Sequence, residues 1–261
     1  MLLEKSKTHW DDMGELDPYW AILSEPGTKF GRWDLDEFLA TGGEEIDRVM
    51  RAGQRLGLPA TRGLALDFGC GIGRLTFALT HHFGRVVGID ISESMLRQAA
   101  ALNQCENCAF VANASDCLPF ATGSFDFIYS AIVLQHVPEK KIVRRYISEF
   151  VRTLKPGGLL VMQIPSHIPL RRRLQARPRL YAWLRNVGVP SRVLYERLGL
   201  HPIPMTFLAE EAVVTTLTES GGRMLEIIPD RRAGEHIASR TYFATRADET
   251  SSPNCLKNSR T

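Results

Sequence analysis

Two hydrophobic periods alternate along this chain of 261 residues, and the switches between them outline its elements. Short apolar runs at 64–66, 85–89, 109–112, 125–131 and 159–164 predict strands, the first of them buried and the last, by its unbroken apolarity, buried on both faces as in a parallel sheet. Helical spacing fills the intervals: 75–79, then Ser92 as an N-cap to about residue 102, then Val137-Pro138 to about residue 154. Residues 209–220 predict a further helix stopped by Gly221-Gly222, and 224–228 and 237–245 two final strands joined by a polar turn. Strands alternating with helices in this way make an α/β domain.

Both ends and one internal stretch depart from that rhythm. Residues 1–55 are rich in aromatics (Trp10, Tyr19, Trp20, Phe30, Trp33, Phe38), with turns at Asp17-Pro18 and Glu25-Pro26-Gly27. After Gly42-Gly43, a helix over 44–56 presents Ile46, Val49, Met50 and Leu56 on one face. Residues 165–206 form an insertion of Arg-rich helical pieces broken by prolines, with Leu180, Trp183, Leu184 and Val187 on one face. Residues 248–261 have almost no apolar content, which predicts a disordered tail. The expected organisation is a lid or cap over 1–55, a core domain over 56–164 and 207–247, the insertion, and the tail.

Composition narrows the class. With 44% apolar and 23% charged residues the chain reads as a globular protein, no apolar run reaches the ~18–20 residues of a membrane span, and the start lacks a signal peptide's apolar stretch. A cytoplasmic location is the expectation. Five cysteines do not form a disulfide framework, and Cys105-x-x-Cys108 lacks the two further ligands zinc would need, so no metal is expected. Net charge is +3, but residues 165–200 hold eight arginines against the single Glu196, a local +7. That asymmetry points to an anionic or surface partner for the insertion alone.

The chemistry concentrates at Asp67-Phe68-Gly69-Cys70-Gly71-Ile72-Gly73-Arg74, where a strand turns through glycines into a helix. Glycines there accept positive φ and let a ligand approach the backbone. Asp90, at the end of the second strand, is placed to accept hydrogen bonds from two ribose hydroxyls. A nicotinamide dinucleotide would use such an acid too, but Arg74 stands where a G-x-G-x-x-G loop has its third glycine.

These residues, followed in order by Leu118-Pro119-Phe120, Phe125-Asp126-Phe127 and Leu154-Lys155-Pro156-Gly157-Gly158, resemble the class I S-adenosylmethionine-dependent methyltransferases over residues 60–165. The resemblance implies a Rossmann-like, seven-stranded, mostly parallel sheet with its last strand antiparallel, and S-adenosylmethionine as cofactor. It implies that Asp67 orients the turn, Gly69 and Gly71 admit the methionine and ribose portions, Asp90 holds the ribose, and Ile91, helped by Met95, packs on adenine. Ala114 stands where most relatives place an Asp, so the adenine amino contact passes to Asn113, Ser115, Asp116 or the backbone around Ala114. Ser130 ends the fourth strand at the crevice. The Ser-Ala-Ile-Val that begins there, in place of Asn or Asp-Pro-Pro-Tyr, argues against methylation of nucleic-acid bases. His136 is either structural or the base that takes a hydroxyl acceptor's proton. Trp20, Trp33, Gln135, Arg171 and Arg172 are the candidates for acceptor contact, with an insertion arginine reaching inward. The expected activity is methyl transfer to a small molecule (natural product, nucleoside, or glycan- or lipid-linked), on oxygen by preference, with no nucleic-acid partner. A membrane-surface contact of the insertion stays open, as do a catalytically silent nucleoside-binding scaffold and a nicotinamide-dependent oxidoreductase.

Overall fold

The structure, a computed structural model, describes residues 2–25, 27–169, 174, 176–234 and 236–247. The strands are β1 Leu64–Phe68, β2 Arg85–Asp90, β3 Cys108–Ala112, β4 Phe125–Ser130, β5 Leu154–His167, β6 Gly222–Asp230 and β7 Ala238–Arg246. They form one seven-stranded sheet in the order β3-β2-β1-β4-β5-β7-β6. The pairings from β3 across to β5 are parallel, while β7 runs antiparallel to both β5 and β6. This is the expected Rossmann-like α/β fold with its last strand reversed.

The helices are α1 Leu2–Leu16, α2 Pro18–Ile22, α3 Leu35–Arg55, α4 Arg74–Leu79, α5 Glu93–Leu102, α6 Lys140–Thr153, α7 Ala176–Asn186, α8 Ser191–Glu196 and α9 Glu210–Glu219. Alternation along the central strands divides the core between the two faces. Ile128, Leu160 and Met162 pack with Ile147 and Phe150 of α6 and Leu217 of α9. Phe127, Tyr129, Leu159 and Val161 pack with Ile46, Val49 and Met50 of α3 and Leu79 of α4. A third cluster, with Met13, Phe38, Ile72 and Met95 at its centre, joins the N-terminal helices to the glycine turn.

Two expectations are corrected. Gly42-Gly43 does not break the chain: α3 runs through it from Asp34, whose side chain accepts from Glu37 N–H as an N-cap. The helix keeps its glycine because α4 crosses there, and a Cβ on Gly42 would lie 2.3 Å from the Arg74 carbonyl oxygen. The fifth strand is also longer than its apolar run, taking in Lys155–Gly158 at one end and Pro165–His167 at the other, where β7 continues to pair. The expected tail falls on residues 248–261, outside the described residues.

Candidate active site

After β1 the chain turns back through Gly69 and Gly71, whose φ values of +76° and +54° lie in the left-handed region that side chains resist. The amides of Gly69 and Cys70 donate to the Ile89 carbonyl (2.8 and 3.1 Å), tying the turn to β2. Asp90 completes the tie: Oδ2 accepts from Gly71 N–H and Oδ1 from Ser92 N–H, both at 2.8 Å. Each oxygen keeps a lone pair for a further donor, and burial raises the carboxyl pKa. Asp67 sits behind the turn, buried, accepting from Thr76 Oγ1 at 2.7 Å. Burial pushes its pKa up to about 7, against the Thr76 hydrogen bond. It braces the start of α4 and does not reach the ligand side.

A cleft opens over the ends of β1, β2 and β4, where the chain order reverses and open α/β sheets bind ligands. Of the expected cofactor residues, Gly69, Gly71, Asp90, Ile91, Met95 and Asn113 line it, while Asp67, Ala114, Ser115 and Ser130 do not. Asn113 turns its amide onto its own loop, donating to the Ser115 and Cys117 carbonyls, and Tyr146 OH donates to the Ser115 carbonyl. Ser130 is fully buried, its hydroxyl without a partner among the described residues.

The roof of the cleft comes from the segment expected to be a lid or cap, through residues not singled out in the sequence. Leu3, Ser6 and Trp10 project into it from α1, and Ile22 from the end of α2. Their signal was present as the spacing 3, 6, 10, 13, which puts Met13 on the same stripe, although the lysines and Thr8 between them mask it. Asp11 fastens the roof to the start of α5, accepting from Ser92 Oγ (2.8 Å) and Ser94 N–H (3.1 Å), while Lys7 pairs with Asp11 at 2.8 Å. Asp12 fastens it to the insertion, accepting from Tyr181 OH (3.1 Å) and pairing with Arg185 (3.3 Å).

His136 lines the cleft on a short 3₁₀ turn, Leu134–His136. Its Nδ1 lies 2.9 Å from the Pro204 carbonyl, which can only accept, so Nδ1 carries the proton. Its Nε2 then accepts from the Gln135 amide at 3.0 Å. Burial pulls its pKa down to about 4 despite the Pro204 hydrogen bond, and Trp10 packs against the ring at 5.5 Å. Next to it, Ile132 lines the cleft with φ +61°, a strained value for a β-branched residue, and its N–H is held by Gln163 Oε1 at 3.0 Å.

The expected acceptor contacts are placed elsewhere. Trp20 packs tilted against Tyr195 and edge-on to His201, and Trp33 packs on Phe38 and donates to the Leu23 carbonyl; both fill the N-terminal cluster and neither lines the cleft. Gln135 lies behind His136. Arg171 and Arg172 fall outside the described residues, and no described residue of 165–206 lines the cleft. The insertion instead supports the walls from outside, through Pro204, Thr206 (N–H to the Gln135 carbonyl, 2.6 Å) and Tyr195 (to Asp17, 2.7 Å). Arg74, which does line the cleft, pairs with Glu45 at 3.0 Å. Glu45 also takes Arg232 and accepts from Tyr129 OH at 2.7 Å. Burial pushes the Glu45 pKa up, but Arg74 and Arg232 outweigh it and hold it low.

Residues 66–162 match a protein family described as "Methyltransferase domain". The 2-methyl-6-phytyl-1,4-hydroquinone methyltransferase of Synechocystis is 32% identical over 159 residues, covering 59% of this chain and 48% of that protein. The chain thus spans about half the length of this curated relative. A solved S-adenosylmethionine-dependent methyltransferase from Methanosarcina mazei is 26% identical, with a TM-score of 0.55 over 71% of this chain and 93% of its own. Magnesium protoporphyrin IX methyltransferase from Synechocystis, solved with bound S-adenosylhomocysteine, shares the fold at 19% identity and a TM-score of 0.61, over 95% of this chain and all of its own.

Proposed function

We propose that this chain, a member of the class I S-adenosylmethionine-dependent methyltransferases, methylates a small acceptor with an uncharged, apolar body and an acidic hydroxyl. The cofactor, when bound, supplies an electrophilic methyl group on a sulfonium. The cleft suits it: a strip of bare backbone forms the floor, where a Cβ on Gly69 or Gly71 would run into the side chains of Val133 (2.3 Å) or Ile22 (2.6 Å). Asp90 at the end of that strip accepts from the ribose hydroxyls, Ile91 and Met95 flank the base, and backbone groups near Asn113 meet the adenine amino group.

The observation that carries the acceptor class is the character of the remaining wall. Leu3, Trp10, Ile22, Ile132, Val133 and Val137 are apolar, and among the described residues the only cationic side chain lining the cleft, Arg74, is held by Glu45. A charged acceptor would find little free counter-charge on that wall among the described residues, and burying it unpaired is costly. The proton is the second constraint. His136, with its Nε2 covered by Gln135 and its pKa about 4, is a poor base. It acts as a positioning residue that holds Trp10 and the Pro204 loop. A phenol or hydroquinone oxygen, far more acidic than an alcohol, can give its proton to water as the methyl group is transferred and so demands less of a protein base. Rate then comes from holding acceptor oxygen and methyl carbon in line in a water-poor cleft.

Methyl transfer from labelled cofactor to a series of phenols and hydroquinones bearing alkyl chains of increasing length tests this. The expected outcome is transfer to oxygen, with KM falling as the apolar body grows. Binding of S-adenosylhomocysteine without transfer to any of them would favour a silent nucleoside-binding scaffold, and preference for anionic or cationic acceptors would contradict the reading of the wall.

A further inference from the structure

Among the described residues, seven large apolar side chains are substantially exposed, and five of them, Leu174, Leu180, Trp183, Val187 and Leu198, lie between 174 and 198. Three form a ridge. Leu180, Trp183 and Val187 stand at i, i+3 and i+7 on α7 and its last turn, which the bond from Val187 N–H to the Trp183 carbonyl continues. Trp183 is 60% and Val187 61% exposed. The inner face of α7 is already satisfied: Tyr181 is fully buried and bonds Asp12, Arg185 pairs with Asp12, and Leu184 packs with Leu194 and Leu200. Leu184, expected on the same face as the ridge, turns inward. The ridge itself keeps about half or more of its surface exposed: 46% of Leu180, 60% of Trp183 and 61% of Val187.

Arg177 and Arg179 are exposed beside the ridge, in a stretch (165–200) with eight arginines and one acid. Of these, Arg185 and Arg192 are paired with Asp12 and Glu196. An apolar ridge with an indole at its centre and guanidinium groups alongside suits one environment: acyl chains below a layer of negative headgroups. A second copy would set arginines against arginines, and nucleic acid would leave the ridge wet.

We propose that the outer face of α7 docks the protein on anionic membrane surfaces, with Leu180, Trp183 and Val187 in the interface and Arg177 and Arg179 on phosphate headgroups. Because α7 is tied through Asp12 to α1, whose Leu3, Ser6 and Trp10 roof the cleft, docking brings that roof to the bilayer. An acceptor dissolved in the membrane would then reach the cleft without crossing water, a consequence that rests on the proposed activity, whereas the docking does not.

Flotation of the full chain with phosphatidylcholine vesicles, with and without phosphatidylglycerol, tests the docking. The protein should float with the anionic vesicles only, and release at high salt. The double substitution Leu180→Ser/Trp183→Ser should reduce the bound fraction at least tenfold, as should Arg177→Glu/Arg179→Glu, with S-adenosylhomocysteine affinity unchanged in both. Failure of the wild type to float, or flotation that both variants retain, would overturn the proposal. A concentration-dependent dimer in sedimentation, lost on Leu180→Ser/Trp183→Ser, would also overturn it by assigning the ridge to a second copy. Unchanged docking in a protein that transfers no methyl group would instead contradict the proposed function alone.

Discussion

His136, half-buried, and Glu149, buried, are both titratable groups, yet their surroundings push them toward different roles. His136 donates from Nδ1 to Pro204 and accepts at Nε2 from Gln135, so its imidazole is neutral and fully engaged. Replacing it by Asn should cost ~1–3 kcal/mol of stability through the lost hydrogen bonds while kcat, measured with any accepted phenol, falls less than tenfold. A fall of ~10²–10⁴ with stability intact would restore the role of general base. Glu149 is a latch. It accepts from Arg152 Nε and Nη2 (2.9 and 2.7 Å) and from Leu118 N–H (2.8 Å), and the Arg152 guanidinium leads in pulling its carboxyl from 4.5 down to about 2. A carboxyl with a depressed folded pKa stabilises fully above its unfolded pKa and loses that contribution as pH falls through the folded one. Denaturant titrations should therefore show wild-type stability declining between about pH 4.5 and pH 2. Glu149→Gln should be ~1.5–3 kcal/mol less stable at neutral pH, with that acid decline reduced. Parallel pH curves for the two proteins would contradict the assignment.

At the scale of elements, the sheet was legible because its central strands β1, β4 and β5 are buried and read as apolar runs, and because Asp67, the glycines and Asp90 mark where two strands end. Long-range crossings were not legible. Gly42-Gly43 looks like a turn in sequence, but only the position of α4 shows that Gly42 is there to admit a neighbouring backbone. The two glycines therefore make a matched test. Gly42→Ala should cost ~1–3 kcal/mol by overpacking. Gly43→Ala, with nothing within 4 Å of the new Cβ, should gain ~0.5–1 kcal/mol by helix propensity. Equal effects in thermal denaturation would mean the helix crossing does not require Gly42. The acceptor contacts assigned to Trp20 and Trp33 failed for a related reason: an aromatic in a segment over the cleft has the same composition whether it faces the ligand or packs against its neighbours. The distinction here lay in helical phase, which places Trp10 inward beside Leu3 and Ser6.

Taken whole, the molecule is a sheet whose ligand edge is closed by α1, held at one end to the cofactor side through Asp11 and at the other to the insertion through Asp12. If α1 acts as a lid, ligand exchange depends on its lifting. Asp11→Ala, which removes the bonds from Ser92 and Ser94, should speed dissociation of S-adenosylhomocysteine in stopped-flow measurements by ~10-fold, the factor that corresponds to about 1.4 kcal/mol. An unchanged off-rate would make α1 a static cap. All of this depends on the cleft being a nucleoside site in which Asp90 holds the ribose. Calorimetric titration of S-adenosylhomocysteine and of NAD into wild type and Asp90→Ala decides that point most directly. The expected result is saturable binding of S-adenosylhomocysteine alone, weakened in Asp90→Ala by ~1.5–3 kcal/mol, as for hydrogen bonds to a charged group. Equal affinity in the two proteins, or NAD binding as tightly, would contradict it.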